Sequence, residues 1–223
     1  MSMVAFIPKK CAVCGNENED VQEVIDAVPF GPMDLDTRPA ENLRSALPYL
    51  IQQCSFCGYC NSDISEEIID DRSLLETEEY KSIIDDEELP DAARKYLASA
   101  HLLHKTGNLH RSAIESLHAA WVFDDLGDSN SAISARLGAV ISLRAQLQEC
   151  YDENLAVILL DILRRAEQFD LCIMISESIV SMGIEDEFVK SIVDYQIHLA
   201  QNRDSSCKTV ADVDLWETDK NKL

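Results

Sequence analysis

The chain has 223 residues, with 41 acidic against 19 basic residues and a formal net charge of −22 at pH 7. A surface this acidic repels phosphate backbones, so the charge argues against nucleic acid as a partner. No apolar run approaches the roughly 18 residues of a membrane helix, and the apolar N-terminal stretch is too short for a signal peptide. We therefore expect a cytoplasmic protein with no membrane contact and with reduced cysteines.

Two CxxCG motifs predict a structural zinc site: CAVCG at residues 11–15 and CSFCG at residues 54–58. Structural zinc is tetrahedral and takes four thiolates, and the glycine permits the backbone conformation that such a turn needs. Cys60 lacks a following glycine, so we expect it to be left out of the site. The alternative is a redox-active dithiol or an iron–sulfur cluster that uses Cys54, Cys57 and Cys60 with one upstream thiolate. The predicted zinc ligands are Cys11, Cys14, Cys54 and Cys57.

The composition divides the part before the helices into two segments. Residues 1–61 form a zinc-ribbon-like domain, in which only Lys9, Lys10, Arg38 and Arg44 are basic. The two CxxC motifs are farther apart than the usual spacing of about 15–20 residues, so an inserted hairpin or loop lies between them. Residues 62–91 are strongly acidic and predict a partly helical, solvated connector, with a docking strip for a basic partner as the alternative.

From Pro90 onwards, apolar residues recur at helical spacing. Residues 92–204 predict a helical-repeat domain that resembles tetratricopeptide (TPR) repeats, in which small residues lie where two helices cross. Ala100 and Ala113 fall at such positions in a first pair, and Leu160 falls at the equivalent position of a looser second pair. Residues 205–223 predict a polar, frayed tail. The expected fold is mainly α, a small zinc-ribbon-like domain followed by a TPR-like helical domain.

The first helix of each TPR pair lines a concave surface, so the same registers predict a partner-binding groove. The groove would collect much of the scarce basic charge and bind an acidic segment or a terminal carboxylate of a protein partner. The alternative is that three of these cations lie near helix C-termini only because the helix dipole favours them there. The predicted groove residues are Arg94, His101, His104, Lys105, Asn154, Arg164 and Arg165.

A short polar loop between the cysteine motifs contains Asp34, Asp36 and Arg38. The favoured interpretation is local structure, in which an Arg–carboxylate clamp pins the insertion; a ligand-binding loop is the alternative. Trp121 falls in an apolar stripe and is expected in the core. A second metal site is not expected, because no cysteine or carboxylate completes a shell around three neighbouring histidines, His101, His104 and His110.

Several of these motifs together resemble domain-of-unknown-function family 2225, a group of prokaryotic proteins. The shared features are the first CxxCG, DLDTRP at residues 34–39, CSFCGY at residues 54–59 and the TPR-like helices. The resemblance implies a zinc-ribbon-like domain fused to helical repeats, and no particular reaction. Ala12 departs from the proline that such knuckles often have. No nucleophile elbow, P-loop or HExxH motif is present, so we predict a non-enzymatic, zinc-binding adapter protein, with an iron–sulfur or redox protein as the alternative.

Overall fold

The structure is a computed structural model that describes residues 3–220. It is mainly helical, with a small N-terminal strand region that carries the paired cysteines and a helical region after it. The predicted fold class is therefore confirmed. Within the described residues, no helix combines the length and the apolar character needed to cross a bilayer.

Two short antiparallel sheets form the N-terminal region. Strand β1 (Met3–Lys10) pairs with β2 (Glu17–Asp26), and β3 (Gln52–Gln53) pairs with β4 (Cys60–Asn61). Each hairpin is closed by one of the two cysteine turns. The insertion predicted between the cysteine motifs consists of β2 and a long loop with one 3₁₀ turn, Arg44–Tyr49.

The acidic segment after β4 is folded against the cysteine region. It contains a 3₁₀ turn (Arg72–Glu76) and helix α1 (Glu78–Ile84), which Thr77 caps by accepting a hydrogen bond from the Tyr80 amide. The carboxylates face solvent, whereas the apolar residues between them are buried beside the cysteines. The predicted partial helicity is present, but the segment is packed rather than a free linker, because its spaced apolar residues need burial: Ile64, Ile69, Leu75 and Tyr80.

Successive helices pack on one another through the rest of the chain and enclose the main apolar core. Trp121 is 3% exposed in this core, as the sequence predicts. Small residues permit close approach of neighbouring helices: a Cβ placed on Gly138 would lie only 3.6 Å from the Ser116 Oγ. The assignment of the helix pairs to TPR repeats stays a prediction. The helices are α2 (Asp91–Lys105), α3 (Leu109–Leu126), α4 (Ser129–Glu149), α5 (Glu153–Arg165), α6 (Phe169–Met182) and α7 (Glu187–Gln201).

The prediction of a frayed tail is wrong for the residues up to Lys220. Helix α8 (Val210–Lys220) buries Val213 completely in a small cluster with Tyr195 and Leu199 of α7. The segment before α8 also binds the polar loop, because the Leu35 amide donates to the Lys208 carbonyl at 2.9 Å. Val213, the Trp216 ring beside Tyr195 and this backbone pairing hold a stretch that is otherwise polar.

Candidate metal centre

Each cysteine motif forms a tight turn that presents two sulfurs on the same side. The Gly15 amide donates to the Cys11 carbonyl, and the Gly58 amide donates to the Cys54 carbonyl, both at 2.9 Å. Both glycines have a left-handed backbone, with φ of +74° and +76°. A side chain at either position would be strained, which explains the glycine of each motif.

The two turns face each other, and all four sulfurs lie within 4.8 Å of one another. The Sγ atoms of Cys14 and Cys54 are 3.6 Å apart, and those of Cys11 and Cys57 are 3.8 Å apart. Tetrahedral zinc with bonds of about 2.3 Å requires sulfur–sulfur distances of about 3.8 Å. The four predicted ligands therefore surround a space that fits a zinc-sized ion, and no disulfide links them.

Asparagine side chains hold the sulfurs from outside the cluster. Asn18 is buried and directs its Nδ2 to the Cys54 sulfur at 3.5 Å, while Asn16 directs its Nδ2 to the Cys14 sulfur at 3.4 Å. The Asn18 Oδ1 accepts from the Ser55 amide at 2.8 Å and so joins one turn to the other. Such outer donors fix ligand orientation. Sequence reasoning missed them, and Asn16 directly after the first CxxCG was the only available signal.

The ionisation of the four thiols is uneven. Burial raises the pKa of Cys11 and of Cys57. Burial acts in the same direction on Cys14, but the Asn16 backbone amide and the neighbouring thiols outweigh it and lower its pKa to about 7. Four adjacent thiolates would repel one another, so a bound cation would have to displace the thiol protons and balance the negative charge.

Cys60 lies outside the sulfur cluster. It is fully buried beneath the second turn, and its thiol donates to the Gly58 carbonyl at 3.4 Å. The Tyr80 hydroxyl donates to the same carbonyl at 2.8 Å. Burial raises the pKa of Cys60 to about 12, so the thiol is protonated and a poor nucleophile at neutral pH. Cys60 serves as a core residue in this position.

The three histidines considered for a second metal site do not converge. The Nδ1 of His104 lies 3.1 Å from the Ser142 hydroxyl, whereas the His101 ring packs 6.3 Å from the ring of Tyr80. His110 is exposed on α3. Among residues 3–220, the four cysteines form the metal-ligand cluster that the geometry supports.

The polar loop is clamped by helices that are distant in sequence. Asp36 is fully buried and accepts from the Trp121 indole at 2.8 Å and from Arg165 at 2.7 Å. Arg165 and Arg136 also bind Asp124 of α3, at 2.6 and 2.5 Å. The Arg–carboxylate clamp of the structural interpretation is present, but the partners of Asp36 come from α3, α4 and α5 rather than from the loop alone.

Burial and ion pairing act against each other at Asp124. Burial acts to raise the pKa of this carboxyl, but the bond from Arg136 and the charges of Arg165 and Arg136 outweigh it. The pKa of Asp124 is therefore below its usual value, whereas burial raises the pKa of Asp36. Each carboxylate of the cluster has arginine partners from the helices, which indicates a structural role.

The predicted groove is only partly open. Arg164 is fully buried and binds Asp161 and Gln196 at 2.5 and 2.7 Å, so neither it nor Arg165 presents a guanidinium to an open groove. Asp161 and Asp36 attract both arginines inwards, which explains the difference from the register-based expectation. The other groove residues are half-buried (Arg94, His101) or exposed (His104, Lys105, Asn154).

Comparison with family models, with curated proteins and with solved structures finds no match for the chain. The resemblance to family 2225 therefore remains a prediction from the motifs. The functional proposal therefore rests on the geometry of the cysteine site and of the surrounding surface.

Proposed function

We propose that the four cysteines hold one structural zinc ion and that the protein is a non-enzymatic adapter. The observation that carries the zinc assignment is the arrangement of four sulfurs, from two facing CxxCG turns, at the separations that tetrahedral zinc requires. When bound, the ion supplies the positive charge that stabilises four neighbouring thiolates and joins the two hairpins. A shell of four protein ligands leaves no position for a substrate, which favours a structural role.

Metal analysis of the purified protein tests this assignment. We expect one zinc per chain in the wild type, and loss of that zinc in Cys57→Ser, because a hydroxyl is a far weaker zinc ligand than a thiolate. Cys60→Ala is the matched control, since Cys60 is a neighbouring cysteine outside the cluster. Iron with acid-labile sulfide in protein purified without oxygen would contradict the zinc assignment and support an iron–sulfur protein. Equal loss of zinc in both variants would contradict the choice of ligands.

The adapter role rests on exposed surface of the helical region. An apolar groove lies between α4, α5 and α6, and contiguous exposed apolar surface is typical of protein interaction sites. Tyr151 and Met182, at its two sides, are 50% and 57% exposed. His104, Lys105 and Asn154 remain the accessible part of the predicted basic groove. We expect a protein partner to contact the helical region rather than the metal.

A double variant of the apolar groove tests the adapter role with cross-linking and affinity capture from native lysate. Tyr151→Ser combined with Met182→Ser should reduce capture of the partner at least tenfold without changing helicity or zinc content. Leu215→Ser is the matched control, because Leu215 is 65% exposed on α8, away from the groove. Capture unchanged by the double variant would exclude the apolar groove. Reversal of Arg164 and Arg165 cannot serve as a test, since it would disrupt buried ion pairs.

A further inference from the structure

A small cavity lies between the polar loop, the 3₁₀ turn that follows it and α3. Its volume is about 300 Å³, at the lower end of the range for small-molecule sites. Leu43, Leu47 and Leu50 form one wall, and the indole of Trp121 forms another. The cavity therefore offers a compact, largely apolar space next to an aromatic ring.

The charge of the cavity wall differs from that of the whole chain. The chain carries 41 acidic and 19 basic residues, yet the wall contains Arg38, Arg44 and His118 and no carboxylate. By comparison, the groove between β2 and the start of α2 is lined by Glu19, Asp20 and Asp91, with Lys95 as its cation. The carboxylates that pair with two of these groups, Asp34 with Arg44 and Glu115 with His118, lie outside the cavity wall.

Arg38 is the central donor of the cavity wall. It is 3% exposed, and its Nε has no hydrogen-bond acceptor among the described residues. Its Nη2 donates to Asp125 at 2.5 Å, but the Asp125 side chain is 53% exposed. The carboxylate of this pair is therefore open to solvent, although the guanidinium is buried. A carboxylate entering the cavity can compete with Asp125 for the Arg38 guanidinium.

The protein holds this arginine in a fixed position before any ligand arrives. The Arg38 guanidinium lies over the Trp121 ring, 5.8 Å from its centroid. The preceding residue, Thr37, has a left-handed backbone with φ of +70°, which a β-branched residue rarely adopts. Asp36 fixes this loop through its bonds to Trp121 and Arg165. Fixed donors reduce the entropy lost on binding.

We propose that this cavity binds a carboxylate attached to a compact apolar or aromatic body. The carboxylate pairs with Arg38, and the apolar body packs between the leucines and Trp121. The carboxylate can belong to a free organic acid or to the C-terminal residue of a peptide. The site lies outside the metal centre and does not depend on the zinc assignment.

Tryptophan fluorescence tests the proposal directly. The chain contains two tryptophans, so Trp216→Phe leaves Trp121 as the single reporter. Benzoate and phenylacetate are titrated beside their neutral amides, together with tripeptides that end in leucine or phenylalanine and their C-terminal amides. We expect saturable changes for the carboxylates and at least tenfold weaker binding for the amides. Binding by the free acids alone identifies a small-molecule site, and binding by the tripeptides alone identifies a peptide terminus.

Two substitutions with opposite effects separate ligand binding from a purely structural role. Arg38→Gln should weaken carboxylate binding at least tenfold, whereas Asp125→Asn should strengthen it several-fold, because Asp125 is the competing acceptor. Arg144→Gln removes the same charge from an exposed position on α4 and should leave the affinity unchanged. Circular dichroism and zinc content verify the fold of each variant.

The proposal is overturned by either of two results. One is the absence of a saturable signal with every carboxylate up to 10 mM, on the order of the weakest small-ligand affinities. The other is equal affinity for acids and amides. If Arg38→Gln does not fold, Asp125→Asn still decides, since unchanged or weaker carboxylate binding in that variant excludes pairing of the ligand with Arg38.

Discussion

The metal centre and the buried charge cluster around Asp36 join distant parts of the chain in different ways. The metal centre takes its four sulfurs from two five-residue turns, each of which is complete in itself. The charge cluster takes single side chains from the polar loop and from three helices, with Asp36 and Arg165 separated by 129 positions. A site made of repeated local turns is visible in the sequence, whereas a site made of single residues becomes visible only after folding.

The largest expected effect is that of metal removal on the strand region. Chelation should unfold the strand region while α3 to α7 keep most of their structure, because the ion would no longer bind the sulfurs of both turns. Structural zinc contributes on the order of 10–16 kcal/mol to the folding of isolated zinc-finger peptides. Hydrogen exchange read by mass spectrometry should show lost protection in residues 3–26 and 52–61. Unchanged protection there in metal-free protein would show that the hairpins fold without an ion.

The second test removes one charge from the buried cluster. Arg165→Met leaves Asp36 without its closest cation and should lower the free energy of unfolding by about 3–5 kcal/mol, as measured in urea. Arg94→Met is the matched control, because Arg94 pairs with Asp91 at the surface and should cost less than about 1 kcal/mol. Similar losses for the two variants would mean that the buried cluster contributes no more than a surface ion pair.

The third test asks whether the strand region and the helical region unfold together. Leu102 belongs to α2 but is fully buried in the apolar cluster beside the cysteine turns. Leu102→Ala should lower stability by about 2–5 kcal/mol, because it leaves a cavity at the boundary between the regions. We expect protection to fall in both the strand region and α2. Leu215→Ala, at an exposed leucine, should change stability by less than about 0.5 kcal/mol.

The smallest expected effect concerns the outer shell of the metal site. Asn18→Ala removes the donor to Cys54 and the link to Ser55, and should weaken metal affinity by about 10–100-fold. Competition with a chromophoric chelator measures this change. Asn16→Ala is the comparison, since Asn16 is exposed and contacts a single sulfur, so its effect should be smaller. The reverse order would mean that Asn18 does not orient the ligand.

Features that depend on neighbouring residues could be predicted from the sequence, whereas features that depend on contacts between distant elements could not. The CxxCG spacing identified the four clustered cysteines and separated them from Cys60, because the turn geometry restricts which residues fit. The helical spacing predicted α2 to α7, and the core position of Trp121 was also correct. Arg164 and Arg165 were misplaced, since a helix register does not reveal the buried carboxylates of other elements. The average polarity of residues 205–223 predicts a tail, because an average does not reveal the single fully buried residue, Val213.

The contact between Lys208 and Leu35 has a consequence for the order in which the protein is made. The Asp34–Arg38 loop is translated early, yet its backbone partners are residues 208–210 near the other end of the chain. A nascent chain on the ribosome therefore lacks these backbone partners of the loop until α2 to α7 have been synthesised. The antiparallel pairing that holds the loop with the strained Thr37, next to the cavity, thus forms only after those helices.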